Sequence, residues 1–177
     1  MTDSPQFNEK ERAFLASVPY RVGIWISNSD DNTGTQADDK DERKALEMVI
    51  SDLASKSQQI PFAAAVMRDV EQNKGAWASW DQMCDEEGVL ADVEKALALC
   101  AAKTKGKELS HYKQTIWRVG LVVAQAYGEH IDPDNEMHFN NFFGRLLGGG
   151  PKIGKNPENM SKEEKIALNK LRKILKS

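Results

Sequence analysis

Two stretches decide how this chain folds: YRVGIWIS at Tyr20–Ser27 and WRVGLVVA at Trp117–Ala124. Each is rich in β-branched and aromatic residues, which taken locally favours a strand. The flanks say otherwise. Leu109, Tyr112, Ile116, Val119, Val123 and Ala126 recur at three- and four-residue intervals through the second stretch, the spacing of one helix face. Both stretches therefore read as turns of buried helices. No other segment carries a persistent two-residue alternation, so the fold class expected is all-α.

Helix signals fill the rest of the chain. Asn8 with Glu11 has capping-box spacing and opens a helix to about Ser17. Pro19 then suits the first turn of a second helix, where its missing N–H would be unpaired anyway. Asp39 with Glu42 repeats the capping spacing ahead of the stripe Leu46, Val49, Ile50 and Leu53. Pro61 starts a short helix with Phe62, Val66, Met67 and Val70 on one face, closed at Asn73–Gly75. Trp77 and Trp80 share a helical face, and at that spacing they read as core anchors. Leu90, Val93, Leu97 and Cys100 stripe a helix over about 86–103. Ser161 with Glu164 caps the last helix, with Leu168, Leu171 and Leu175 inward.

The two opening stretches also belong to a longer correspondence. DKDERKALEMVISDL (Asp39–Leu53) aligns without a gap to SKEEKIALNKLRKIL (Ser161–Leu175). Each half thus runs from an Arg-Val-Gly helix through a polar loop to a helix carrying Glu-x-x-Ala-Leu. The expectation is one domain over 1–177, a compact bundle of seven to nine helices. Its repeat halves are 8–57 and 108–177, joined by a helical region at 58–107. Gly23 and Gly120 occupy the same place in each copy, where a close helix–helix approach would offset their propensity cost of about 1 kcal/mol.

Arg21-Val22-Gly23, Asp30-Asp31 and Asp39–Leu46, with an echo at Arg118–Gly120 and Ser161–Leu168, resemble the helical family typified by the tellurite-resistance protein TerB. The resemblance covers about a third of the chain. It implies an α-helical, cytosolic, non-enzymatic bacterial protein acting by protein interaction, with acidic loops suspected of holding metal. The chain has DDNTGT where that family has a tidier turn.

Composition narrows the partner classes. The 177 residues are 40% hydrophobic and 29% charged, with a formal net charge of −3, so there is no global basic field for nucleic acid. Residues 149–177 hold eight basic and three acidic residues; the preceding part is acidic, most sharply at Asp30, Asp31, Asp38, Asp39, Asp41 and Glu42. Two cysteines, Cys84 and Cys100, cannot build a disulfide framework and suit a reducing cytoplasm. The longest apolar run is too short to span a bilayer, so no membrane partner is expected.

Four features bear on chemistry. GGGPKIGKN at 148–156 spells a phosphate loop from Gly149 to Lys155, but Asn156 stands where the magnesium-binding hydroxyl belongs. No strand precedes it and Pro157 stops a helix from following, so nucleotide is not expected. HIDPDNEMH puts His130, Asp132, Asp134, Glu136 and His138 on alternate positions, a donor set suited to a divalent metal. Pro133 and Asp134-Asn135 favour a turn that breaks the alternation. A metal-dependent enzyme centred on His130, Asp134 and His138 is the alternative to the interaction module. Asp30 and Asp31 are a second candidate cation site. No catalytic triad can be assembled from Cys84, Cys100 and His111.

Overall fold

The computed structural model describes residues 7–30, 36–126 and 160–177, with the side chains of 30 and 36–41 excepted. Seven α-helices occupy them: α1 Glu9–Ser27, α2 Gln36–Ser55, α3 Pro61–Gln72, α4 Trp77–Asp81, α5 Glu86–Lys103, α6 Gly106–Ala126 and α7 Lys162–Lys176. No strand occurs among the described residues. The two Arg-Val-Gly stretches lie inside α1 and α6. These helices pack on each other at the centre, with α3 and α5 against α1, α2 against α6 and α3, and α7 against α6 and α1. One continuous apolar core joins all of them.

The strand-like composition of YRVGIWIS has a physical cause. All residues from Leu15 to Ile26 are buried, so this part of α1 meets protein on every side and needs no polar face. Val119–Ala124 of α6 is buried throughout in the same way. The peripheral helices keep their stripes. Leu46, Val49, Ile50 and Leu53 of α2 are buried, as are Val66, Met67 and Val70 of α3, while Phe62 is half-buried. In α5 Val93, Leu97 and Cys100 of the expected stripe are buried and Val89 joins them, while Leu90 lies at the margin.

Two expected helix starts are corrected. Asn8 does close a capping box, its Oδ1 accepting from the Glu11 N–H at 2.9 Å, but the helix does not stop near Ser17. It runs through Pro19 as a single 19-residue element. A proline there removes the N–H that would bond the Leu15 carbonyl. The Tyr112 hydroxyl of α6, itself fully buried, donates to that carbonyl at 2.8 Å. A neighbouring helix supplies the missing hydrogen bond, so the chain need not break. The second correction is at Asp39, which lies inside α2 rather than capping it, because the helix begins at Gln36. Gln36 and Ala37 tolerate helix, and Asp38 and Asp39 favour the early turns of its dipole. Ser161 caps α7 as expected, with Glu164 completing the box.

The glycines of the two stretches mark where helices meet most closely. A Cβ on Gly23 would lie 2.5 Å from Leu46 Cδ1, and one on Gly120 would lie 3.2 Å from Leu171 Cδ2 and 3.4 Å from Leu168 Cδ2. Leu46 and Leu168 hold the same position in the aligned segments.

Both kinds of contact can be tested by substitution. Tyr112→Phe leaves a buried carbonyl unpaired and should cost about 1–3 kcal/mol in urea unfolding. In a Pro19→Ala background the backbone regains its own N–H at that position, so the cost of losing the phenol should shrink. An undiminished cost would refute the substitution of one bond for the other. Gly23→Ala should destabilise by about 1–3 kcal/mol because Leu46 is held in the core. Gly120→Ala has room to settle and should stay within about 1 kcal/mol of the parent, its helix propensity gain offsetting a mild contact.

Candidate functional site

The metal candidates His130, Asp132, Asp134, Glu136 and His138 lie outside the described residues, as does the Gly149–Lys155 stretch. Asp31 does too, and of Asp30 only the backbone is described, as the last residue of a short 3-10 turn after α1. Among the described residues no group of three or more His, Cys, Asp or Glu side chains gathers closely enough to hold a metal ion.

A cleft of about 560 Å³ opens where α1 ends. Asn28 caps α1 through its backbone N–H, and the Ser29 hydroxyl donates to the Ile26 carbonyl at 2.7 Å, turning the chain outward. Trp25, Asn28 and Ser29 form one wall. The segment from Asp81 to Glu86, joining α4 to α5, forms the second, and Glu163, Ile166 and Ala167 of α7 form the third. Among the described residues, four carboxylates thus line the cleft and no Lys or Arg does. Ser29 is followed by Asp30, whose backbone ends the 3-10 turn beside the cleft.

Three of these carboxylates also have structural work. Asp85 caps α5, its Oδ1 accepting from the Gly88 N–H at 2.8 Å. Asp81 accepts from the buried Tyr20 hydroxyl at 2.9 Å and pairs with Arg43 at 3.2 Å. Glu86 pairs with Lys170 of α7. Burial first, then the bond to Asp81, raises the Tyr20 hydroxyl far above its ordinary pKa, so it stays a donor. Tyr20 packs on Trp77 and Trp80 at centroid distances of 4.7 and 5.6 Å, which places both tryptophans as core anchors.

The cleft holds no activated nucleophile among the described residues. Burial, reinforced by Asp81, pushes the Cys84 thiol up to about 11, and its Sγ–H donates to the Trp80 carbonyl. Burial pushes the Cys100 thiol up to about 12. Both are protonated near neutral pH and unreactive as thiolates. His111 is half-buried in the second turn of α6, away from the cleft.

Arg21 fixes the second wall. This guanidinium-bearing residue is 4% exposed, in a helix otherwise apolar at that level. Its Nε donates to the Met83 carbonyl at 2.9 Å and its Nη1 to Asp92 Oδ2 of α5 at 2.7 Å. Burial alone would raise the Asp92 carboxyl, but hydrogen bonds from Arg21 and Lys95 outweigh it and hold the pKa below the ordinary value. Glu42 and Glu164, which align in the two halves, are also buried, at 3% and 0% exposure. Glu42 accepts from the Ser27 hydroxyl, tying α2 to the end of α1. No sequence pattern assigns a role to Asp92, and the capping spacing alone assigns both glutamates to helix starts. An arginine within an apolar run signals a buried partner but does not name it.

Asp92→Asn should destabilise by about 2–3 kcal/mol, less than for a fully buried pair because Asp92 keeps 21% of its side chain exposed. Because the folded carboxyl has the lower pKa, its contribution is complete at neutral pH. It fades as the pH drops below about 4 and through the folded value. Unfolding free energies of parent and variant should therefore converge in acid; a gap independent of pH would assign the loss to packing. Compared with protein-family models, with curated proteins and with solved structures, the chain matches none.

Proposed function

We propose that this chain is a non-enzymatic interaction module of the TerB-like kind, working in the bacterial cytoplasm, whose acidic cleft receives a cationic partner. The observation that carries this reading is the lining of the cleft: Asp81, Asp85, Glu86 and Glu163, with no Lys or Arg in the lining among the described residues, although Arg43 and Lys170 pair with Asp81 and Glu86 from beside it. Such a concavity concentrates positive charge and speeds the encounter with a basic segment. The described carboxylates are too dispersed to chelate one ion, so a lysine- or arginine-rich protein segment is the ligand that fits. Asp30 and Asp31, the second candidate for a divalent cation, follow Ser29 of the cleft wall in the sequence.

We infer further that the bundle arose by duplication of a helix–loop–helix unit. Gly23 receives Leu46, and Gly120 receives Leu171 together with Leu168, the counterpart of Leu46. Ala45 and Ala167, Glu42 and Glu164, and Val49 and Leu171 are matching pairs buried alike. Independent helices would share capping residues, but they would have no reason to share both a glycine contact and a buried glutamate.

The test is titration of a short oligolysine peptide into the full chain at low and moderate salt. Binding should weaken with salt. Glu86→Gln with Glu163→Gln should weaken it further by about three- to tenfold, as expected for two partly exposed charges. Unchanged affinity in the double variant, with the melting temperature preserved, would remove the cleft from the interaction.

A further inference from the structure

A second cavity, of about 350 Å³, lies between the end of α2, the start of α3 and one side of α6. Its chemistry is the reverse of the cleft's. Lys56, His111 and Arg118 line it together with the amides of Gln59 and Gln114, and no carboxylate does among the described residues. Leu53 and Ile60 give it an apolar wall. Its volume falls at the lower end of small-molecule sites, about 300–1,000 Å³, and exceeds what a bare inorganic anion fills.

Two independent observations point to an anionic ligand. The first is Thr115, which lines the cavity and is only 2% exposed, yet its hydroxyl has no hydrogen-bond partner among the described residues. A buried hydroxyl ordinarily finds a partner, in a helix often the carbonyl one turn back. The second is the start of α3. Its N-cap is Ile60, no side chain caps it, and Pro61 opens the first turn. Gln59 and Ile60, which lead into that helix end, line the cavity, so the positive end of the α3 dipole lies at its edge.

We propose that this cavity binds a small phosphate monoester, with the phosphoryl group held by Lys56, His111 and Thr115 and the organic part against Leu53 and Ile60. The donors come from α6 and the connection after α2, so they approach from two sides, an arrangement that suits a tetrahedral group with three acceptor oxygens better than a planar carboxylate. Lys56 is paired with Asp52 at 2.7 Å, one turn earlier in the chain, and that pair holds its ammonium in place while leaving two of its three protons for a ligand. The site stands apart from the acidic cleft and shares none of its residues.

The experiment is a titration of the isotope-labelled full chain with inorganic phosphate, phenyl phosphate and benzoate, followed by amide chemical shifts at constant ionic strength in chloride. Phenyl phosphate should give saturable shifts confined to residues around 53–63 and 111–118, with an affinity at least about tenfold above inorganic phosphate and benzoate. Thr115→Val, which keeps the shape and removes an unpaired hydroxyl, should preserve the melting temperature and weaken phenyl phosphate by about tenfold. Lys56→Gln should weaken it at least as much. Shifts that grow linearly without saturation, or that ignore both substitutions, would overturn the site. Benzoate or inorganic phosphate binding as tightly as phenyl phosphate would overturn the monoester assignment.

Discussion

A helix buried on every side cannot let water repair a broken backbone hydrogen bond. That constraint governs α1. Pro19 sits within the buried span Leu15–Ile26, and its ring leaves the Leu15 carbonyl without its helical partner. The repair comes from Tyr112 of α6, whose phenol reaches the carbonyl from within the core. Burial keeps that phenol protonated, well above its ordinary pKa, so the donor is always present. The bond also sets the axial position of α6 on α1. With those two helices registered, Gly23 and Gly120 fall where Leu46 and Leu168 approach, and α2 and α7 take their places.

The polar groups taken into the core serve the same end. Arg21 is costly to bury, and it is tolerated because three of its nitrogens donate to the Met83 carbonyl and Asp92. Those acceptors lie on the connection into α5 and on α5 itself, so the interaction fixes elements that apolar packing alone would allow to slide. Tyr20 does likewise for α4, accepting from Arg43 of α2 at 2.7 Å while donating to Asp81. At the periphery, Arg12 with Asp69 and Lys103 with Glu11 pin α3 and α5 to the first turns of α1. These outer pairs lie near the surface, where water and salt screen them, so they orient the helices more than they stabilise them.

The helical class is legible in the sequence because periodic stripes survive wherever a helix has one wet face. The stripe of α2, the stripe of α6 and the caps at Asn8 and Ser161 all stand where the residue spacing puts them. Pro19 defeats the local rules for a specific reason. They assign proline to a helix start, and the compensating phenol lies 97 positions along the chain from the carbonyl it serves, beyond the reach of any local rule. Asp39 defeats them because two competent helix formers, Gln36 and Ala37, precede the expected cap. The candidate sites are less legible still. The cleft draws its carboxylates from separate segments, and the second cavity joins Lys56 to Thr115. Only the fold makes such neighbours, whereas a sequence motif like Gly149–Lys155 is conspicuous because its residues are adjacent.

Helix ends decide what each cavity can attract. Glu86 belongs to the first turn of α5 and Glu163 to the first turn of α7, while Asp85 caps α5. Each therefore faces the positive end of a dipole, which offsets part of its charge. A cleft so compensated has little field left to strip water from a small divalent ion, whose dehydration is expensive. It can still align several ammonium or guanidinium groups spaced along a chain, each keeping much of its hydration. The second cavity lacks that compensation. The start of α3 has no acidic cap, and the cavity beside it is lined by Lys56 and Arg118 with no carboxylate among the described residues. The acidic cleft therefore fits an extended cation, and the smaller cavity fits a compact anion.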